Sequence, residues 1–81
     1  MSIKPLDKAA ANKIKDIAMK AGLPAFVIYY GHQSNVYAVQ ILSAGYNEDS
    51  IFEPMNKVAP GVNYSFQNIM GGLIVTSSDI A

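Results

Sequence analysis

The sequence predicts an α+β fold: an N-terminal helix packed on a small antiparallel sheet of about four strands, in the order α-β-β-(α)-β-β. Three observations carry that prediction. Apolar residues recur at steps of three and four between Leu6 and Ala21; two β-branched and aromatic runs then flank a polar turn; and the last third alternates apolar with polar side chains. No repeat, linker or low-complexity tract interrupts the chain, so residues 1–81 are expected to form one domain.

The first element is a helix. Leu6, Ala10, Ile14, Ile17, Ala18 and Ala21 share one stripe, while lysines and Asn12 take the other face. Pro5 and Asp7 suit its first turn, and Gly22 followed by Leu23-Pro24 is a stop signal. Next, Ala25-Phe26-Val27-Ile28-Tyr29-Tyr30 and Val36 to Leu42 read as two strands joined through Gly31-His32-Gln33-Ser34-Asn35, a hairpin. The first strand is apolar on both sides, with Phe26, Ile28 and Tyr30 on one and Ala25, Val27 and Tyr29 on the other. A single helix covers one face of a sheet, so the second face calls for another helix, another sheet or another subunit.

Ser50-Ile51-Phe52-Glu53 has the spacing of a capping box, which predicts a short helix over Ile51 to Ala59 with Pro54 in its first turn and Pro60-Gly61 at its end. An irregular loop is the alternative for these residues. Val62, Tyr64 and Phe66 then fall on one side of a strand, and Asn63, Ser65 and Gln67 on the other. Gly71-Gly72 supplies a tight turn, and Leu73-Ile74-Val75-Thr76 the return strand.

A chain of 81 residues buries only about 60% of its unfolded surface. Cysteine is absent, which rules out disulfides, and the single histidine gives no basis for a structural zinc site. Charged residues make up 15% of the chain, against about 25% in an average soluble domain. Apolar residues reach 51%. Too few charges remain to coat an isolated surface, so self-association is expected, with a two-fold dimer as the first choice. A monomer with a neutral, asparagine- and serine-rich surface is the alternative.

The charges divide unevenly. Five lysines and two aspartates lie in the first twenty residues, whereas Glu48, Asp49, Glu53 and Asp79 face only Lys57 in the remainder. A solvated helix face is the simplest account of such spaced lysines. Arginine is absent, which weighs against nucleic-acid recognition because guanidinium forks are the usual readers of guanine and phosphate. No run approaches the roughly 18 apolar residues needed to span a bilayer. The first residues lack a secretory pattern, so a cytoplasmic address is expected and the sequon Asn63-Tyr64-Ser65 reads as a chance match.

Catalytic equipment is sparse, and no enzyme, cofactor or metal site is expected. His32 is the only side chain that titrates near neutrality. In a ligand-binding tip it would act with Ser34 and Asn35, although Gly, His, Ser and Asn are also what turn geometry selects. Ser77 and Ser78 have no nucleophile-elbow context, and Glu53 is accounted for by capping. Tyr64, Asn63 and Gln67 offer a ring and amides suited to a nucleotide-like ligand, and a core tyrosine beside a wet strand face explains them equally. Val27, Tyr29, Leu73 and Val75 are the candidate interface residues, with edge pairing through Leu73 to Thr76 or helix packing as the route. The expected function is a non-enzymatic oligomer that binds another macromolecule, as an assembly subunit or an inhibitor of a partner protein. The alternative is a small-ligand binder with a Tyr/Asn-lined pocket between subunits. A hydrolase centred on His32 comes third.

Overall fold

The structure, a computed structural model, describes residues 3–29, 36–42, 47–69 and 72–80. Helix α1 spans Lys8–Lys20. Asp7 is its N-cap, and its carboxylate accepts the Ala10 amide at 2.8 Å. This satisfies an otherwise orphaned donor and sets negative charge against the positive end of the helix dipole. Pro5 and Leu6 therefore precede the helix, contrary to the expected first turn. Pro5 belongs to strand β1, Lys4–Pro5, and Leu6 bridges to Tyr37.

The helix ends as the sequence predicts. The Leu23 amide donates to the Ala18 carbonyl at 2.9 Å and the Gly22 amide to Met19 at 3.1 Å, with Gly22 at φ +86°. These paired bonds form the Schellman arrangement, and Leu23 and Ala18 both join the core. No atom lies within 4 Å of a Cβ built on Gly22. Gly22→Ala is therefore expected to cost only the left-handed backbone penalty, about 1–2 kcal/mol, read as a lower thermal midpoint.

Strand β2, Ala25–Tyr29, and strand β3, Tyr37–Ile41, pair antiparallel from Ala25↔Ile41 to Tyr29↔Tyr37. Helix α2 spans Glu48–Val58, so it begins three residues before the predicted start. Asn47 is the cap, its side-chain oxygen accepting both the Ser50 amide at 2.8 Å and the Ser50 hydroxyl at 3.0 Å. Ser50 is thus a donor inside the first turn. The earlier start also puts Pro54 in the helix interior, where its missing N–H leaves the Ser50 carbonyl without its usual intrahelical partner.

Strand β4, Tyr64–Ile69, and strand β5, Gly72–Ser78, close the sheet. Gly72 pairs with Ile69 inside the ladder. It is a strand residue and not half of a two-glycine turn; Gly71 lies outside the described residues.

β5 is the centre of the sheet. β3 pairs with it along Val39↔Val75 to Ile41↔Leu73, and β4 occupies its opposite side. Beyond Val75, β1 takes over the side that β3 leaves, through Pro5↔Ser77 and Lys4↔Ser78. The predicted edge pairing through Leu73 to Thr76 therefore has no free edge to use. Leu73 and Val75 are buried within the molecule and are not available as surface interface residues.

One core joins the helices to one face of this sheet. Ala11, Ile14 and Ala18 from α1 and Ile51 and Met55 from α2 meet Val39, Ile41, Leu73 and Val75. A bulge opposite Ser65 makes room for an extra residue at Thr76, so Val75 and Ser78 both point at the helices although three residues apart.

Candidate functional site

Strand alternation divides the sheet into a helix-covered face and an opposite face that is open at Phe26 and Gln67. Ala25, Val27, Val39, Leu73, Val75 and Phe66 belong to the helix side or pack against it. Phe26, Ile28, Ala38, Gln40, Ile74 and Gln67 alternate with them and point the other way. Both helices join the first set, so neither covers the second. Phe26 is 40% exposed, and Ile28 is half-buried. On this second face Ala38 and Ile74 are nevertheless buried, so among the described residues it is exposed at its margins, at Phe26 and Gln67, and not at its centre.

The edge of β2 has a definite hydrogen-bond phase. The Leu42 amide donates to the Pro24 carbonyl at 3.0 Å, and these residues lie opposite one another, one step beyond Ala25↔Ile41. Bonded pairs alternate along an antiparallel ladder, so Phe26 and Ile28 turn their backbone groups toward β3. Ala25, Val27 and Tyr29 turn theirs away from it. Tyr37 confirms the phase: opposite Tyr29, it donates away from β2, to the Leu6 carbonyl at 3.0 Å. Among the described residues no strand pairs with the outer side of β2. That edge carries no charged residue, and charge is one of the usual devices that keep sheet edges from pairing.

At the opposite margin, the chain end is fastened to β4. Asp79 accepts from the Asn63 amide at 2.9 Å and the Asn63 side-chain nitrogen at 2.7 Å, while the Ser78 hydroxyl donates to the Asn63 carbonyl at 2.7 Å. The two bonds from Asn63 hold the Asp79 carboxyl below its ordinary pKa. Tyr64 packs between Phe52 and Phe66, ring centroids 6.1 and 5.9 Å away. Its hydroxyl is buried without a hydrogen-bond partner among the described residues. Burial, helped by the Asp79 charge, pushes its pKa up to about 12.

Opposite pH effects follow. Asp79 is depressed on folding, so its contribution is present above the unfolded carboxylate pKa near 4 and is lost as pH falls through the lower folded value. Tyr64 is raised, so its contribution is full below pH 10.0 and disappears as pH climbs toward about 12. Thermal melts should show Asp79→Asn removing part of the acid loss. Tyr64→Phe should remove part of the alkaline loss at little cost near neutrality, because the buried hydroxyl has no bond to lose.

The predicted ligand residues do not converge in the described structure. Tyr64 points toward the helices, Gln67 lies on the open face, and Asn63 is occupied by Asp79. His32, Ser34 and Asn35 lie outside the described residues, as does the side chain of Tyr29. Val27 is half-buried against the core, with its backbone groups on the free edge. Pairing phase, set by a single bond at Pro24, was the signal that sequence reading lacked.

Two clefts remain. One of about 220 Å³ lies beside the start of α1 between Lys4, Asp7, Ala10, Ser78 and Ile80. The Ser78 hydroxyl there is already engaged, donating to Asn63 and accepting from the Ile80 amide. The other, an open groove of about 300 Å³, runs between Lys13, Asp16, Ile17, Lys20, Val58 and Ile80. Among the described residues no three His, Cys, Asp or Glu side chains come together to hold a metal. No helix there is long and apolar enough to cross a membrane. Comparison with protein families, characterised proteins and solved structures finds no match for this chain.

Proposed function

We propose that this protein is a non-enzymatic, cytoplasmic, self-associating protein that works by binding another macromolecule, as an assembly subunit or as an inhibitor of a partner. The observation that supports this reading is the uncharged outer edge of β2, whose backbone groups at Ala25, Val27 and Tyr29 face away from the sheet beside the exposed Phe26. Backbone donors and acceptors on an edge are a template for another strand. A low charge content favours closing that edge with protein over leaving it in water.

Gel filtration coupled to light scattering, over a range of concentrations, tests the reading. A mass that rises above 8.7 kDa with concentration is expected. A species fixed at 8.7 kDa throughout would overturn it.

A further inference from the structure

We infer that two copies of this chain pair through β2, antiparallel and centred on Val27, into one continuous sheet. The inference rests on the self-association proposed above and adds its site and register. Its starting point is the hydrogen-bond phase, since the outward groups sit at Ala25, Val27 and Tyr29, spaced evenly about the middle residue. A two-fold axis at Val27 sets Val27 opposite the partner's Val27 and Ala25 opposite the partner's Tyr29. Each such pair exchanges two backbone bonds, about six in all.

Side-chain chemistry agrees with a second copy as the occupant. In this register Phe26 falls opposite the partner's Ile28 at a close, non-bonded position, and the same pair repeats across the axis. Phe26, 40% exposed in the single chain, thereby gains a β-branched neighbour on the open face. No residue from Ala25 to Tyr29 is charged, so the paired strands set no like charges opposite one another. The other outer strands are less suited, β1 being only two residues long and carrying Lys4. β4 carries exposed Gln67 and Asn68, and its ladder with β5 contains the bulge, which twists an edge away from flat pairing.

The chain has no cysteine, so single-cysteine variants report the register without background. Val27→Cys places two thiols across a pair with Cα atoms about 5.5 Å apart, within disulfide reach. Ala25→Cys places them about four residues apart along the strands, roughly 14 Å, out of reach. Under mild oxidation Val27→Cys should yield at least about tenfold more covalent dimer than Ala25→Cys. Light scattering on the reduced samples separates the possible failures. Equal cross-linking, or none from a species that is dimeric when reduced, overturns the register and leaves self-association standing. A monomer at all concentrations overturns both. Should Val27→Cys fail to fold, a nitroxide on Phe26→Cys reads the same register, with Cα atoms about 8 Å apart. A dipolar-broadened spectrum supports the pairing, and an unbroadened one overturns it.

Discussion

Val75→Asp is expected to leave a chain without a cooperative melting transition. Val75 is fully buried at the centre of the sheet, between Val39 on β3 and Phe66 on β4, and it faces the helices. A carboxylate there has no cationic partner, since the core around it is built from Ile, Leu, Val, Ala and Met side chains. Burying an uncompensated charge costs about 3–5 kcal/mol, or a comparable amount if the group takes up a proton instead. Proteins of this size have only about 4–12 kcal/mol to lose. Val75→Ala sets the scale, because loss of two methyl groups and a small cavity should cost about 2–3 kcal/mol and leave a folded protein. Circular dichroism melts of the two variants distinguish a charge penalty from a volume penalty. Equal midpoints for both would refute the placement of Val75.

Proline substitution at neighbouring positions of β2 is expected to give opposite results. Ile28 turns its backbone toward β3, so Ile28→Pro removes a ladder donor, strands the facing carbonyl of Ala38 and forces the ring against the neighbouring strand. The unsatisfied carbonyl alone costs about 1–3 kcal/mol. Lost packing of the isoleucine adds about 1–2 kcal/mol more. Val27→Pro removes an outward N–H, which no described residue of the single chain accepts, and proline is tolerated on strand edges for that reason. Its cost is restricted to packing and some backbone adjustment. The expected pattern is a largely unfolded Ile28→Pro, and a Val27→Pro that folds but elutes as a monomer at concentrations where the parent associates. The reverse pattern would mean that the hydrogen-bond phase of β2 is inverted.

Much of this architecture was legible in the residues. The stripe from Ala10 to Ala21 and the stop at Gly22 marked α1 because each rests on local geometry that tertiary packing reinforces. Asp7, however, reads equally well as a first-turn residue or as a cap, and two residues of β1 leave no pattern at all. At α2 the capping-box spacing at Ser50 places the start three residues too late. Asn47 prevails over Ser50 because it brings Glu48 and Asp49 into the first turn, where the helix dipole favours acidic side chains, while Ile51 and Met55 share the buried face.

The central position of β5 was also encoded, in a signal that was read too weakly. Leu73, Ile74 and Val75 are three consecutive apolar residues, and all are buried, as befits a strand flanked on both sides. An edge strand does not need them. Apolarity on both faces of β2 calls for cover on both, and among the described residues the helices cover one, while Phe26 on the other stays 40% exposed. The outward phase of Val27 could not be read from the residues, since it depends on which partner β3 presents and on where the first bond falls.

Amide hydrogen exchange on the unmodified protein, followed at low and high concentration, tests the β2 pairing most directly. The Phe26 and Ile28 amides should be protected at both concentrations, being bonded to β3 within each chain, whereas the Val27 amide should exchange fast in dilute solution and slow down as concentration rises. Val27 exchanging rapidly at every concentration, with the protein otherwise folded, would contradict the claim that this edge is where two copies meet.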